Sequence, residues 1–117
     1  MPDAWPDSAG KLVGAGHVLP VRVYYEDTDL SGVVYHSNYI KYCERGRTDW
    51  LRLLGIHHKD MLGKYFFVVR RLECEYYKPA KIDDLLEVHT RFDGLSGIRM
   101  QLTQRILRGD ELLFEAK

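Results

Sequence analysis

The sequence predicts an α+β fold in which one long helix packs against one antiparallel sheet. Three observations predict it. A single stretch carries apolar residues at helical spacing, several others alternate apolar and polar with the period of a strand, and short turns separate those strands. The chain has 117 residues, the size of one domain. Its 45% hydrophobic and 29% charged residues are those of a folded chain, not a disordered one.

Residues 1–17 are rich in Gly, Ala and Pro and lack an apolar signal core, so they predict a flexible leader. The single domain is then residues 18–117. Val21, Val23 and Tyr25 alternate with Arg22 and Tyr24, as in a half-buried strand. The polar turn Glu26-Asp27-Thr28-Asp29-Leu30-Ser31-Gly32 follows. From about His36, the residues Tyr39, Cys43, Gly46, Trp50 and Leu54 form one helical stripe, and Gly55 stands where a left-handed cap is wanted. Gly46 weakens a helix relative to alanine, so its place in the stripe predicts close approach to another backbone.

Every later segment has strand character. Leu72, Cys74 and Tyr76 alternate with Arg71, Glu73 and Glu75; Leu86, Val88, Thr90 and Phe92 alternate with Glu87, His89 and Arg91. A turn at Asp93-Gly94 leads to Ile98, Met100, Leu102 and Ile106, and a turn at Arg108-Gly109-Asp110 to a last strand from Glu111. One apolar helix stripe needs one apolar sheet face, which a curved sheet around a central helix supplies.

Composition also excludes functions. With 17 basic and 17 acidic residues the chain has no net charge, which argues against a general nucleic-acid binder. No stretch reaches the ~20 apolar residues of a membrane helix, so no stable membrane insertion is expected. Two cysteines, Cys43 and Cys74, are too few for a disulfide scaffold and fall at apolar positions, which favours a reduced, cytoplasmic protein. His57-His58 with Asp60 lacks convincing ligand spacing, so no metal is expected.

Chemistry concentrates in the acidic turn. Glu26, Asp27 and Asp29 are crowded carboxylates, which makes a candidate acid, base or nucleophile; a solvated turn with Asp and Ser satisfying local amides is the ordinary alternative. Their position just before a helix start adds weight, because unclaimed first-turn amides can bind an oxyanion and Gly32 permits tight backbone approach. Glu44 and Arg47 have the spacing of a helix ion pair. Cys43 lies on the apolar stripe without a His-Asp partner set, which argues for packing rather than nucleophilic chemistry.

Arg22-Val23, Thr28-Asp29, Gly32-Val33-Val34-Tyr35 and Asn38-Tyr39 together resemble the signature of the 4-hydroxybenzoyl-CoA thioesterase family. The run YYEDTDLSGVVYHSNYIKYCERGRTDWLR, continued by FFVVRRLECEYYKPAKIDDLLEV, is most similar to the acyl-CoA thioesterases associated with the bacterial Tol–Pal envelope system. The resemblance spans nearly all of residues 20–117. It implies a hotdog fold, a sheet wrapped around one long helix, and hydrolysis of an acyl-CoA thioester to free acid and CoA, with no cofactor beyond the CoA of the substrate. Asp29 aligns with the catalytic aspartate, as nucleophile or general base, and the His36 amide with the donor to the thioester oxygen. The His36 ring either adds a polar contact and orients Asp29, or simply bonds to the turn. Gly32, Tyr35, Phe67, Val68 and Val69 complete the implied substrate-binding set, with Tyr35 and Asn38 shaping the turn and residues 67–69 on a strand edge or in the core.

A homodimer or homotetramer is also implied. Anionic CoA requires local cations, for which Arg70, Arg71, Arg91, Arg99 and Arg105 are candidates. Members of the family run their last strand further, so this chain is expected to lack part of it. Two other functions fit the same residues: hydrolysis of thioesters on acyl carrier protein, and a non-catalytic acyl-CoA-binding or envelope-associated scaffold.

Overall fold

The computed structural model describes residues 8–55, 69–97 and 99–117. Strands β1 (Lys11–Val13), β2 (Gly16–Arg22), β3 (Cys74–Tyr76), β4 (Leu85–Ser96), β5 (Arg99–Arg108) and β6 (Glu111–Ala116) accompany one α-helix, α1 (His36–Leu53). The strands form one six-stranded sheet in the order β1-β2-β4-β5-β6-β3. All the pairings are antiparallel. The helix-and-wrapped-sheet arrangement expected from periodicity is therefore present.

Residues alternate between the two faces of each strand, and one set meets the helix. Leu19 and Val21 of β2, Leu86 and Val88 of β4, Ile106 of β5 and Phe114 of β6 are all buried in one core with Tyr39, Tyr42 and Cys43 of α1. Each such side chain contributes about 1.5–3 kcal/mol through removal from water. Gly46 is buried where the helix passes closest to the sheet. A Cβ there would stand 2.9 Å from Val88 Cγ1 and 3.3 Å from both Gln104 Nε2 and Thr90 Oγ1. The helix does approach the sheet closely at Gly46, but the nearest atoms belong to β4 and β5 side chains rather than to the expected backbone.

Beneath that crossing lies a buried polar cluster. Gln104 Nε2 donates to Cys43 O at 2.8 Å and to Thr90 Oγ1 at 2.9 Å. Arg47 Nη1 donates to Gln104 Oε1 at 3.0 Å. The expected pairing of Arg47 with Glu44 is thus replaced by a bond from the helix to the sheet.

Five other expectations change. The supposed leader is structured from residue 11: Lys11–Val13 and Gly16–Arg22 form a hairpin, with Leu12 opposite His17. Tyr25 is 81% exposed and opens a 3-10 turn, Tyr25–Asp27, instead of continuing β2. Asp93-Gly94 is a bulge, not a turn. The β4–β5 register shifts between Phe92 and Gly94, and Gly94 takes φ 149°, which the missing Cβ allows. Finally, Leu72, Cys74 and Tyr76 are exposed, because β3 is a three-residue edge strand paired with β6. Leu54, placed on the helical stripe, is likewise half exposed just past the helix end.

Candidate active site

The acidic turn folds as a compact loop under the start of α1. Tyr24 N donates to Asp27 Oδ2 at 2.9 Å. Asp27 O accepts from Tyr35 N at 2.9 Å and from Asn38 Nδ2 at 2.8 Å. Asp27 is therefore the strut that ties the 3-10 turn to the helix, and Asn38 shapes the turn as its place in the motif implies. Asp29 N donates to Val33 O and Gly32 N to Asp29 O, both at 3.0 Å, which closes a tight return with Gly32 at φ 83°. A residue with a Cβ is strained in that conformation.

A second segment supports this loop from below. Val34 N donates to Ala80 O at 2.8 Å, and Ala80 N donates to Tyr39 Oη at 2.9 Å. Val23 N donates to Asp84 O and Asp83 N to Val23 O, each at 2.9 Å. Arg108 Nη1 holds Asp84 Oδ2 at 2.7 Å and Pro79 O at 3.2 Å. Burial alone would raise the Asp84 pKa, but the Lys81 amide and the Arg108 guanidinium together bring it below its ordinary value. Residues 79–84 are thus fixed both to the sheet, through Arg108, and to the loop, through Val34 and Val23.

Asp29 stands out from its neighbours. Its Oδ1 accepts the Ser31 amide at 2.8 Å and also the Ser31 hydroxyl. Among the described residues Oδ2 has no hydrogen-bond partner. The Ser31 hydroxyl, then the Ser31 amide, and to a smaller degree the His36 charge hold the Asp29 carboxyl below its usual pKa. His36 is the first residue of α1. Tyr35 occupies the N-cap position with extended backbone and makes no side-chain capping bond. The His36 and Ser37 amides therefore lack a cap and are available to a ligand, and the helix dipole favours negative charge there.

The other expected residues divide. Gly32 and Tyr35 belong to the same loop as Asp29 and His36. The His36 ring packs against the Tyr35 ring, with centroids 4.4 Å apart, rather than bonding to the turn. Val69 is exposed at 59%, so of the two readings it is not in the core of the single chain; Phe67 and Val68 lie outside the described residues, as do His57, His58 and Asp60. Cys43 is buried, and burial pushes its thiol up to about 12, which makes it inert at neutral pH. Cys74, also a free thiol, is exposed instead of buried.

Of the five candidate arginines, Arg71 pairs with Glu73, Arg91 with Asp93 and Arg105 with Glu115. Arg70 and Arg99 make no ion pair among the described residues. No group of three or more His, Cys, Asp or Glu side chains among the described residues could hold a metal ion. Among the same residues no helix is long and apolar enough to cross a membrane.

Sequence reasoning missed several participants. Tyr76 Oη donates to His36 O at 2.8 Å, across from β3 to the helix start. The Asp84–Arg108 support was also missed, as was Gln104. Gln104 did leave a signal: it is the polar residue between Leu102 and Ile106 on an otherwise apolar strand face. The buried Tyr42 hydroxyl has no hydrogen-bond partner among the described residues; burial, then the Asp27 carboxylate, raises its pKa, and Arg45 lies 5.7 Å over its ring.

The profile of the thioesterase superfamily matches residues 31–115. The chain belongs to that superfamily. It is 46% identical over 95 residues to "Acyl-CoA thioester hydrolase YbgC" of Escherichia coli, covering 80% of this chain and 71% of that protein. Against "Acyl-CoA thioesterase YbgC" of Haemophilus influenzae it is 43% identical over 107 residues, covering 90% and 79% respectively. The crystal structure of "Probable Thioesterase from Bartonella henselae" superposes with a TM-score of 0.83 at 42% identity, covering 87% of this chain and 86% of that one. The fold is accordingly the hotdog fold of thioesterases, and the protein is an enzyme of the thioesterase class.

Proposed function

We propose that this enzyme hydrolyses acyl-CoA thioesters to the free acid and CoA, with Asp29 and the first turn of α1 as its reacting groups. The observation that carries the reading is an ionised carboxylate with one unengaged oxygen in the same loop as an uncapped helix N-terminus. A developing oxyanion needs fixed donors, and a water molecule or the thioester carbonyl needs a base or nucleophile beside it. The names of the relatives, acyl-CoA thioesterases, support the choice of substrate.

Two balanced routes use these groups. In one, Asp29 Oδ2 takes a proton from water as the water oxygen adds to the thioester carbon. The carbonyl oxygen becomes an oxyanion held by the His36 amide, and collapse breaks the C–S bond, with the CoA sulfur leaving as thiolate and taking the proton back from Asp29. In the other, Oδ2 itself attacks, CoA thiolate leaves, and water hydrolyses the resulting mixed anhydride. Ser31 serves both by fixing the carboxylate through Oδ1. Gly32 and Tyr35 shape the wall beside it, and Val69 lines the path of the pantetheine arm. Metal and cofactor have no part in this scheme.

The proposed working form is a homodimer or homotetramer. The β3 edge is open, and Val69, Leu72 and Tyr76 near it are exposed, an arrangement that soluble proteins rarely leave uncovered. A second copy pairing there would add walls to a site that one small domain leaves open. Arg70 and Arg99, without acidic partners, are the proposed cations for the nucleotide phosphates. We place the protein in the cytoplasm, in the Tol–Pal-associated group of acyl-CoA thioesterases.

The test is thiol release from short, medium, long and aromatic acyl-CoAs, run beside the same acyl groups on acyl carrier protein. Turnover of at least one CoA ester supports the proposal. Turnover on the carrier protein alone shifts the substrate class, and none on either leaves the scaffold reading.

A further inference from the structure

We infer that Tyr76 is a positioning residue for thioester hydrolysis, acting through the His36–Ser37 peptide and making the Ser37 amide a second donor to the oxyanion. The inference rests on the thioesterase reading above and adds to it a residue on a different strand.

Tyr76 lies in β3 opposite Phe114 of β6. Its ring stands edge-on to Phe114, with centroids 4.9 Å apart at 67°, and edge-on to Tyr39 of α1 at 5.4 Å and 88°. Tyr39 in turn stacks on Phe114 at 5.4 Å and 20°. Two rings, Tyr39 from the helix and Phe114 from the sheet, therefore hold the Tyr76 side chain in one orientation. Aromatic contacts of this kind are worth about 0.5–1.5 kcal/mol each beyond their burial.

The hydroxyl so placed donates to His36 O at 2.8 Å. In an α-helix that carbonyl already accepts the amide four residues on, so the tyrosine bond is not needed to satisfy it. Its effect falls on the other end of the same peptide unit, the Ser37 N–H. A donor on the carbonyl polarises the amide and strengthens its N–H as a donor, by about 10–30% per bond. The preceding peptide is treated alike within the helix, since Tyr35 O accepts from Asn38 N at 2.9 Å and carries the His36 N–H. Both amides belong to the uncapped end, and both are polarised from behind. The bond also fixes the first turn against the sheet edge, so the two N–H groups keep their aim as charge develops.

Tyr76→Phe in the full-length chain tests this, because the ring packing is kept and only the donor is removed. Losing one oxyanion donor outright commonly costs 100- to 1000-fold in turnover, so weakening one by a tenth to a third predicts a fall in kcat of about 2- to 8-fold. KM is expected to stay within about twofold and the unfolding midpoint to stay unchanged, a split that a merely structural bond would not produce. The Ser37 amide proton resonance, read by NMR without any substrate, is expected to move upfield. Unchanged kcat, or a change confined to KM, in an active background overturns the inference. So does an unmoved Ser37 resonance. A wild-type protein inactive on every thioester overturns the underlying reading and this role with it, an outcome distinct from an active wild type that the variant leaves unaltered.

Discussion

Ser31 gives both of its donors, backbone amide and side-chain hydroxyl, to the same oxygen of Asp29. The carboxylate is thereby oriented, ionised and left with its second oxygen exposed. Glu26 and Asp27 share the turn but not this arrangement. Asp27 spends its carboxylate on the Tyr24 amide and its carbonyl on the helix start.

That relationship predicts the effect of Ser31→Ala on pH dependence. The Ser31 hydroxyl is the largest cause lowering the Asp29 pKa. In the proposed mechanism Asp29 reacts in its ionised form, which predicts activity above its pKa that is lost as pH falls through it. Wild-type kcat/KM is expected to hold to a pH below the ~3.9 of an unperturbed aspartate. In Ser31→Ala the acid limb moves upward. An acid limb at the same pH in both proteins contradicts the assignment.

Gly46→Ala is expected to destabilise the protein even though alanine is the better helix former by about 1 kcal/mol. The new methyl would meet Val88 Cγ1 at 2.9 Å inside a packed core. Overpacking of this kind costs about 1–3 kcal/mol, so after the helix-propensity gain the net loss should reach up to about 2 kcal/mol. Urea unfolding reads it, and an increase in midpoint would show that the helix can move away from the sheet.

Asp84→Asn tests the support beneath the loop. Asp84 and Arg108 are only partly exposed, so their bond escapes much of the solvent screening that weakens surface pairs. The expected loss at pH 7 is about 1–2 kcal/mol. The folded-state pKa of Asp84 is depressed, so its contribution is present above the unfolded-state value, ~3.9, and disappears as pH falls through the folded one. The stability difference between wild type and variant should therefore shrink on acidification. A difference that persists unchanged at low pH would mean that charge is not the cause.

How much of this was legible in the sequence follows from what each signal depends on. The helix was legible because Tyr39, Cys43, Gly46 and Trp50 obey one period, and that period is a property of neighbours in the chain. The loop carrying Asp29 was legible through a long composite motif. Asp93-Gly94 misled because the pair has the composition of a hairpin turn, while the ladder continues past it once Asp93 is held by Arg91 and Thr103. The β1–β2 hairpin was hidden by the shortness of β1, whose three residues are all exposed and leave no alternation to detect. Tyr76, Gln104 and Asp84 could not be assigned roles, because their partners are 40, 61 and 24 residues away. Such pairs are set by strand register and by the position of the helix on the sheet, which no local pattern encodes.

The proposed chemistry depends above all on Asp29 at the uncapped start of α1. Its most direct test is turnover of a good acyl-CoA substrate by wild type, Asp29→Asn and Asp29→Ala, with folding of all three checked by thermal unfolding. Removal of a lone base or nucleophile commonly costs 100-fold or more, so both variants should lose at least ~100-fold in kcat while remaining folded. Hydrolysis near the wild-type rate by both folded variants would contradict the account.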